Sequence, residues 1–486
     1  MGVAAGHGPD LEVTEEEVPV ARKVLDLLQS SRQHQEARGQ RGGRPSFRLS
    51  ELRLALLKEK AFTDPLRLLQ RLKRVGLLEE VASTREDRTY VPTSEEHLLG
   101  FLRSSLEAPE PGFEGTMSGP TNEAIELREM DTEYFLYLKD LLTDRLPAVL
   151  KFAEEFTLAS LVSYTKELFG EELFLDILIG LLHQYALCDA PLMAPTGRPT
   201  GTSGFNLSLF GPPGTGKTFA IDDMIRGNPK AGVPPHGLPG RNRYCGGITP
   251  VQFLRVGSFY RGRTFNFIVP EFNDWFKYRG MVEPLKLVME QRPVKWETTL
   301  GTIGPYIFAS YFSVNYNVRV EGGSDYWTTI ADPNFAALED RMLLRFHRMT
   351  KARFRAVETS AERLELGEID FSRAGMIRDH LTLVHAVQTG HPLARHWKRK
   401  GVALTRQLYG SLRSVSEKAL ERTSHPRFSP RLKSRAARLA AAGALVGYFA
   451  QGSDDVIPVG KEEEGLARRF YEEEIAAREG KGSWRH

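Results

Sequence analysis

The chain has 486 residues, a formal net charge of +3 and two cysteines, Cys188 and Cys245. That length supplies about three domains' worth of chain, and the small net charge gives no global attraction to nucleic acid, so any attraction has to be local. Two isolated cysteines speak against a disulfide framework and a structural zinc site. The absence of a run of about 18 apolar residues speaks against a membrane span, and no apolar signal peptide opens the chain, so a soluble, cytoplasmic protein is expected.

Residues 1–12 read as a tail. The stretch from Glu15 to Gln33 repeats Val18, Val20, Val24, Leu25, Leu27 and Leu28 in a helical pattern. Ser50 reads as the N-cap of a helix running from residue 51 to about residue 60. Asp64 caps the next helix, with Pro65 at its first position, where the missing N–H costs nothing. Leu66, Leu69, Leu72 and Val75 follow at helical spacing, and Gly76 ends the helix. Leu77–Val81 and Thr89–Val91 alternate as two short strands around a charged turn. Three helices and a two-stranded wing make residues 13–108 a winged helix-turn-helix. From Arg41 to Pro92 twelve basic residues stand against seven acidic, a local excess of five. Arg67, Arg71 and Arg74 fall on one face of the third of those helices, away from its leucines, and Arg85 and Arg88 flank it from the wing. This stripe is a candidate DNA contact, with a protein-binding face as the alternative.

Residues 109–120 are a Pro/Gly-rich linker, and residues 121–190 read as helical. Phe205–Phe210 reads as a buried strand, and Phe219–Ile225 as a helix. Between them runs Gly211-Pro212-Pro213-Gly214-Thr215-Gly216-Lys217-Thr218. Strand, glycine loop and helix in this order form a phosphate-binding loop, whose backbone N–H groups and helix N-terminus attract phosphate. Residues Gly211 to Phe219 are therefore the candidate ATP contacts. Lys217 is expected at the β- and γ-phosphates, and the Thr218 hydroxyl on Mg²⁺.

A second apolar run, Phe265–Val269, leads to Pro270-Glu271-Phe272-Asn273-Asp274. Glu271 is the candidate to polarise an attacking water and to assist the metal. Pro270, which has no ligand to offer, stands where an aspartate usually holds the metal's water shell, so slow or conditional hydrolysis is expected, or metal help from Asp274. A third strand, Tyr306–Val314, ends at Asn315-Tyr316-Asn317. Asn315 is the candidate γ-phosphate sensor and Asn317 its reserve. Arg341, after a short helix and before an apolar strand, is a candidate arginine finger toward a neighbouring subunit's phosphate. Ser429 and Pro430 open a long Ala-rich helix. Arg431 in its first turn opposes the helix dipole, which suggests a phosphate partner.

Taken together, this set resembles the AAA+ ATPases and, more particularly, the minichromosome maintenance (MCM) helicases, over about Phe205 to Glu474. Tyr244-Cys245-Gly246-Gly247-Ile248-Thr249, Leu287-Val288-Met289-Glu290-Gln291 and Ala337-Leu338-Glu339-Asp340-Arg341 are similar to family segments. The resemblance implies an α/β AAA+ core over residues 191–349, a parallel sheet with flanking helices. It implies a helical lid over residues 350–476, followed by a tail at 477–486. It also implies ATP and Mg²⁺, a homo-oligomeric ring of hexameric type, and action on DNA. Arg341 and Arg431 would act on a neighbour's nucleotide, and Lys295 would lie on a DNA-contacting hairpin between Arg292 and Ile307. The zinc and OB-fold N-terminal half of the family is missing, and the span from Thr249 to Phe265 is too short for its second-helix insert. Besides a helicase or replication factor, possibly of a mobile element, the sequence accommodates an ATP-controlled DNA-binding initiator or switch. A chaperone-like ATPase of MoxR type is a further alternative.

Overall fold

In a computed structural model, residues 17–37, 44–58, 65–74, 76–83, 87–95, 98–99, 102, 122–277, 280–298, 301–321, 325–330, 332, 334–451 and 455–480 are described. The tail at residues 1–12, Asp64, Arg85 and the linker at 109–120 lie outside them. The chain divides into two compact units, Met1–Asn122 and Glu123–His486.

The first unit runs α1 (Val18–Ala37), β1 (Phe47–Arg48), α2 (Leu49–Lys58), α3 (Pro65–Arg74), β2 (Leu78–Ser83) and β3 (Arg88–Pro92). Its antiparallel strands lie in the order β1-β3-β2. Val20, Val24, Leu28, Leu52, Leu56, Leu69 and Leu72 interlock with Phe47 and Tyr90 as its core. Two features depart from expectation. Ser50 lies inside α2 rather than capping it, because Asp87 accepts from both its N–H (3.0 Å) and its hydroxyl (2.6 Å). The short strand β1 was also unforeseen, since two residues carry no periodicity.

The second unit is built on a parallel sheet in the order β13-β6-β11-β8-β7: Met342–Phe346, Asn206–Gly211, Tyr311–Glu321, Asn266–Val269 and Asn242–Tyr244. Every neighbouring pair along that path is parallel, and β12 (Asp325–Thr328) adds antiparallel to β11. Because side chains alternate across a strand, the sheet feeds two cores. Leu207, Leu209, Ile268 and Leu343 enter one core with the helix Leu158–Ala186. Phe210, Phe267, Val269, Phe312, Val314, Tyr316, Met342 and Leu344 enter the other.

Three boundaries correct the sequence expectation. Tyr306 belongs to the hairpin of β9 (Pro293–Thr298) and β10 (Gly301–Ile307), and β11 starts at Tyr311 and runs on past Asn317. The helix after the glycine loop starts at Lys217 and widens into a π-helical turn, Phe219–Asp223, before Met224–Arg226. The region after Thr350 is not helical throughout. Its β14 (Gly401–Ala403) and β15 (Val456–Pro458) join β4 (Pro191–Met193) and β5 (Pro199–Thr202) in a second sheet of order β15-β14-β4-β5.

Candidate nucleotide site

Ligands in parallel α/β sheets bind beyond the carboxyl ends of the strands, and the glycine loop leaves β6 at that end. Gly214 and Gly216 turn with φ of 75° and 82°, values an L side chain resists. Lys217 folds back over the loop, its Nζ donating to the carbonyls of Gly211 (3.0 Å) and Pro212 (2.7 Å) and to Asn317 Oδ1 (3.2 Å). Burial pushes the Lys217 ammonium down to about 8; the nearby Glu271 carboxylate opposes that fall and Arg353 adds to it. Thr218 is exposed, and its hydroxyl accepts from Asn315 Nδ2 at 2.9 Å. Thr215 is buried, its hydroxyl donating to Pro212 O at 3.0 Å. Pro213, Gly214 and Gly216 are exposed, while Phe219 turns inward and packs edge-on to Phe169.

β11 lies between β6 and β8, and register sets Asn315 beside Leu209 and Asn317 beside Gly211. The two asparagines, two residues apart, face the same way, so both reach the loop: Asn315 holds Thr218 and Asn317 holds Lys217. Glu271 is exposed where β8 ends, preceding the short helix Phe272–Trp275. That turn is tied to β11 through Asn273, which accepts from Asn317 N (3.1 Å) and donates to Thr329 Oγ1 (2.6 Å). Pro270 is buried, and Asp274 is ion-paired with Lys277 at 2.9 Å. Among the described residues no group of three or more acidic, His or Cys side chains could hold a metal unaided.

Arg341 and Arg431 lie elsewhere. Met342 pairs with Asn206 at the start of β6, five positions before Gly211, or about 16 Å along the sheet. Arg341 therefore sits at the opposite end from its own glycine loop. It is ion-paired with Glu290 at 2.6 Å, rather than with Glu339 or Asp340. Arg431 opens the helix Arg431–Val446, 3.4 Å from Asp340 and 3.7 Å from Glu290. The N-cap of that helix is Pro430, and the Ser429 hydroxyl beside it donates to Asp340 and accepts from the Arg431 N–H at 3.2 Å. Arg292, at the start of the hairpin, completes the group at 2.6 Å from Glu290. Three guanidinium groups thus gather at two carboxylates. No local sequence signal links them, since Glu290 and Arg341 are fifty-one positions apart.

Lys295 is exposed on β9, 3.5 Å from Glu297. In the first unit, Arg71 is bound at 2.6 Å to the buried Glu17 carboxylate, Arg88 lies 3.9 Å from Glu80, and Arg74 is exposed. The Arg67 side chain and Arg85 lie outside the described residues. Arg71 is therefore already engaged, and the arginine stripe is thinner than its spacing suggests. Among the described residues no helix is long and apolar enough to cross a membrane. The chain matches no family model and no curated protein.

Proposed function

We propose that the chain is an AAA+ ATPase of MCM-like type that binds ATP with Mg²⁺ at the glycine loop and acts as an oligomer on DNA. The observation that carries this reading is the meeting of Lys217, Thr218, Asn315 and Asn317 at the carboxyl ends of two adjacent parallel strands, with Glu271 at the end of the next. These residues fit a nucleoside triphosphate. A desolvated ammonium gains more from an anionic phosphate than a hydrated one does, and the hydroxyl oxygen of the exposed Thr218 keeps a lone pair for a hard cation beside the one that accepts from Asn315. Mg²⁺, when bound, neutralises charge on the phosphates. Glu271 is the group to polarise water, and the asparagines fix Lys217 and Thr218 against the phosphate end.

The distance of Arg341 and Arg431 from their own loop supports a ring in which they serve a second copy's nucleotide. The order of helices and strands in the first unit supports a winged helix, and the exposed Lys295 hairpin supports a DNA-facing element. One observation favours a switch or initiator over a strong motor: buried Pro270 occupies the position of a metal-supporting carboxylate. Lys217→Ala tests the central reading. It should abolish ATP binding while leaving the thermal transition unchanged, and an unaltered ATP affinity in a folded variant would remove the proposal.

A further inference from the structure

Beneath the glycine loop lies a buried charge cluster that the nucleotide reading does not use. Asp176, in the middle of the helix Leu158–Ala186, is 2.8 Å from Arg345 Nε of β13, 2.5 Å from Arg353 Nη2 and 3.2 Å from His347 Nε2. Burial alone would raise the Asp176 carboxyl, but His347, Arg345 and Arg353 outweigh it and hold the group well below the carboxylate range. Arg353, on the helix Lys351–Glu365, uses the same Nη2 to donate to the Thr215 carbonyl at 2.7 Å, with His347 Nδ1 at 2.9 Å. His347 Nδ1 is itself 3.2 Å from that carbonyl. Burial pushes the His347 imidazole down to about 4, so it is neutral near pH 7.

Resting on the nucleotide reading, we propose that Arg353, backed by Asp176 and His347, is a positioning residue of the phosphate loop. The Thr215–Gly216 peptide is planar and trans, so its C=O and N–H point in opposite directions. Anchoring the Thr215 oxygen on Arg353 turns the Gly216 N–H away from the cluster, toward the side where a phosphate is cradled. The loop needs such an anchor, because Gly214 and Gly216 flank Thr215 with no side chains to fix the peptide plane. Stability gives only weak grounds for such a cluster. Buried ion pairs are commonly no more stabilising than apolar groups of the same volume. Asp176, in turn, holds Arg353 against the loop by supplying its counter-charge.

The test compares Arg353→Met with Arg345→Met in the full chain. Arg345 binds the same Asp176 and also Glu473, but it is not bonded to the loop. Direct binding of Mg²⁺–ATP and steady-state turnover are measured beside thermal unfolding. Arg353→Met should raise both the Kd and the KM for ATP about tenfold or more, since small misplacements of binding groups cost up to about 10²-fold. Arg345→Met should lower the melting temperature with Kd within about twofold of the parent. Arg353→Lys should recover part of the affinity, and it carries the same comparison if the methionine variant does not fold. Equal loss of affinity in both methionine variants, or unchanged affinity in Arg353→Met and Arg353→Lys, overturns the positioning role alone. Failure of the parent protein to bind ATP overturns the nucleotide reading and this inference with it.

Discussion

Asn317 accepts from Lys217 at 3.2 Å across two adjacent parallel strands, so the lysine of the loop is bonded to the next strand of the sheet as well as to its own loop carbonyls. The site is assembled by strand pairing rather than by the loop alone. A slip of one residue in β11 would turn both asparagines to the opposite face of the sheet and remove them from Lys217 and Thr218.

The Lys217 ammonium, pushed down to about 8 by burial, gives the site a pH signature. A bound phosphate favours the charged form, so ATP should bind best below pH 8 and lose affinity as pH rises toward 9. Binding near pH 8 should therefore take up a proton. Calorimetry at pH 8 in two buffers of different ionisation enthalpy checks this, and the Kd at pH 7 and pH 9 gives the slope. Lys217→Arg, which stays charged, should bind with a flat profile. A flat profile in the parent protein would exclude Lys217 as the group that meets the phosphates.

Glu271 stands exposed beyond β8 with buried Pro270 behind it. Glu271→Gln keeps the shape and removes the charge, so ATP should stay bound while turnover falls about 10²-fold or more, as expected for loss of a general base. Pro270→Asp should raise turnover if metal support limits the rate. The expected sign is a lower Mg²⁺ concentration at half-maximal rate. An unchanged Mg²⁺ dependence would mean that the metal is already held by Thr218 and Glu271.

The glycine loop was legible in the sequence because its chemistry is local: eight consecutive residues between an apolar run and a helix. Asn315 was legible because it follows an apolar run, but its equivalence with Asn317 was not, because that depends on β11 continuing past both of them. The second sheet escaped notice because Gly401–Ala403 and Val456–Pro458 are three-residue strands inside a helical stretch, too short for a period of two to register. The Asp176–Arg353 contact spans 177 positions, and Glu290 gives no hint in its own neighbourhood that three arginines converge on it. Local motifs were readable; charge pairing across the fold was not.

Five buried imidazoles make the stability of the fold sensitive to acid. His183, His236 and His347 are pushed down to about 4, and His380 and His385 to about 3, in each case by burial first. Tyr185 lies 2.8 Å from His380 and Tyr134 lies 2.7 Å from His385. The unfolded chain takes up protons on these residues below about pH 6.5 and the folded chain does not. Their contribution to stability is therefore complete above pH 6.5 and is lost as pH falls toward 4, by up to about 1.4 kcal/mol per pH unit for each imidazole. The melting temperature should drop steeply between pH 6.5 and 5. A His380→Gln, His385→Gln double variant should fall less steeply over that range, and an identical slope would exonerate both residues.

Arg341 and Arg431 converge on Glu290 and Asp340 at the end of the sheet remote from Lys217, so they cannot complete their own chain's site. On the proposed ring reading they would serve a neighbour's nucleotide, with a phosphate displacing the Glu290 carboxylate. Arg341→Ala and Arg431→Ala should each bind ATP but hydrolyse it poorly, whereas Lys217→Ala should not bind it. Mixing Arg341→Ala with Lys217→Ala then places an intact Arg341 beside an intact loop at some of the interfaces. An arginine finger is worth about 10³ or more in rate, so a mixture with even a minority of repaired interfaces should exceed both parents by a wide margin. Turnover across a series of mixing ratios, with mixed oligomers verified by differently tagged chains, measures this. If mixed oligomers form and no ratio exceeds its separate parents, the site is completed within one chain and the shared-catalysis reading fails.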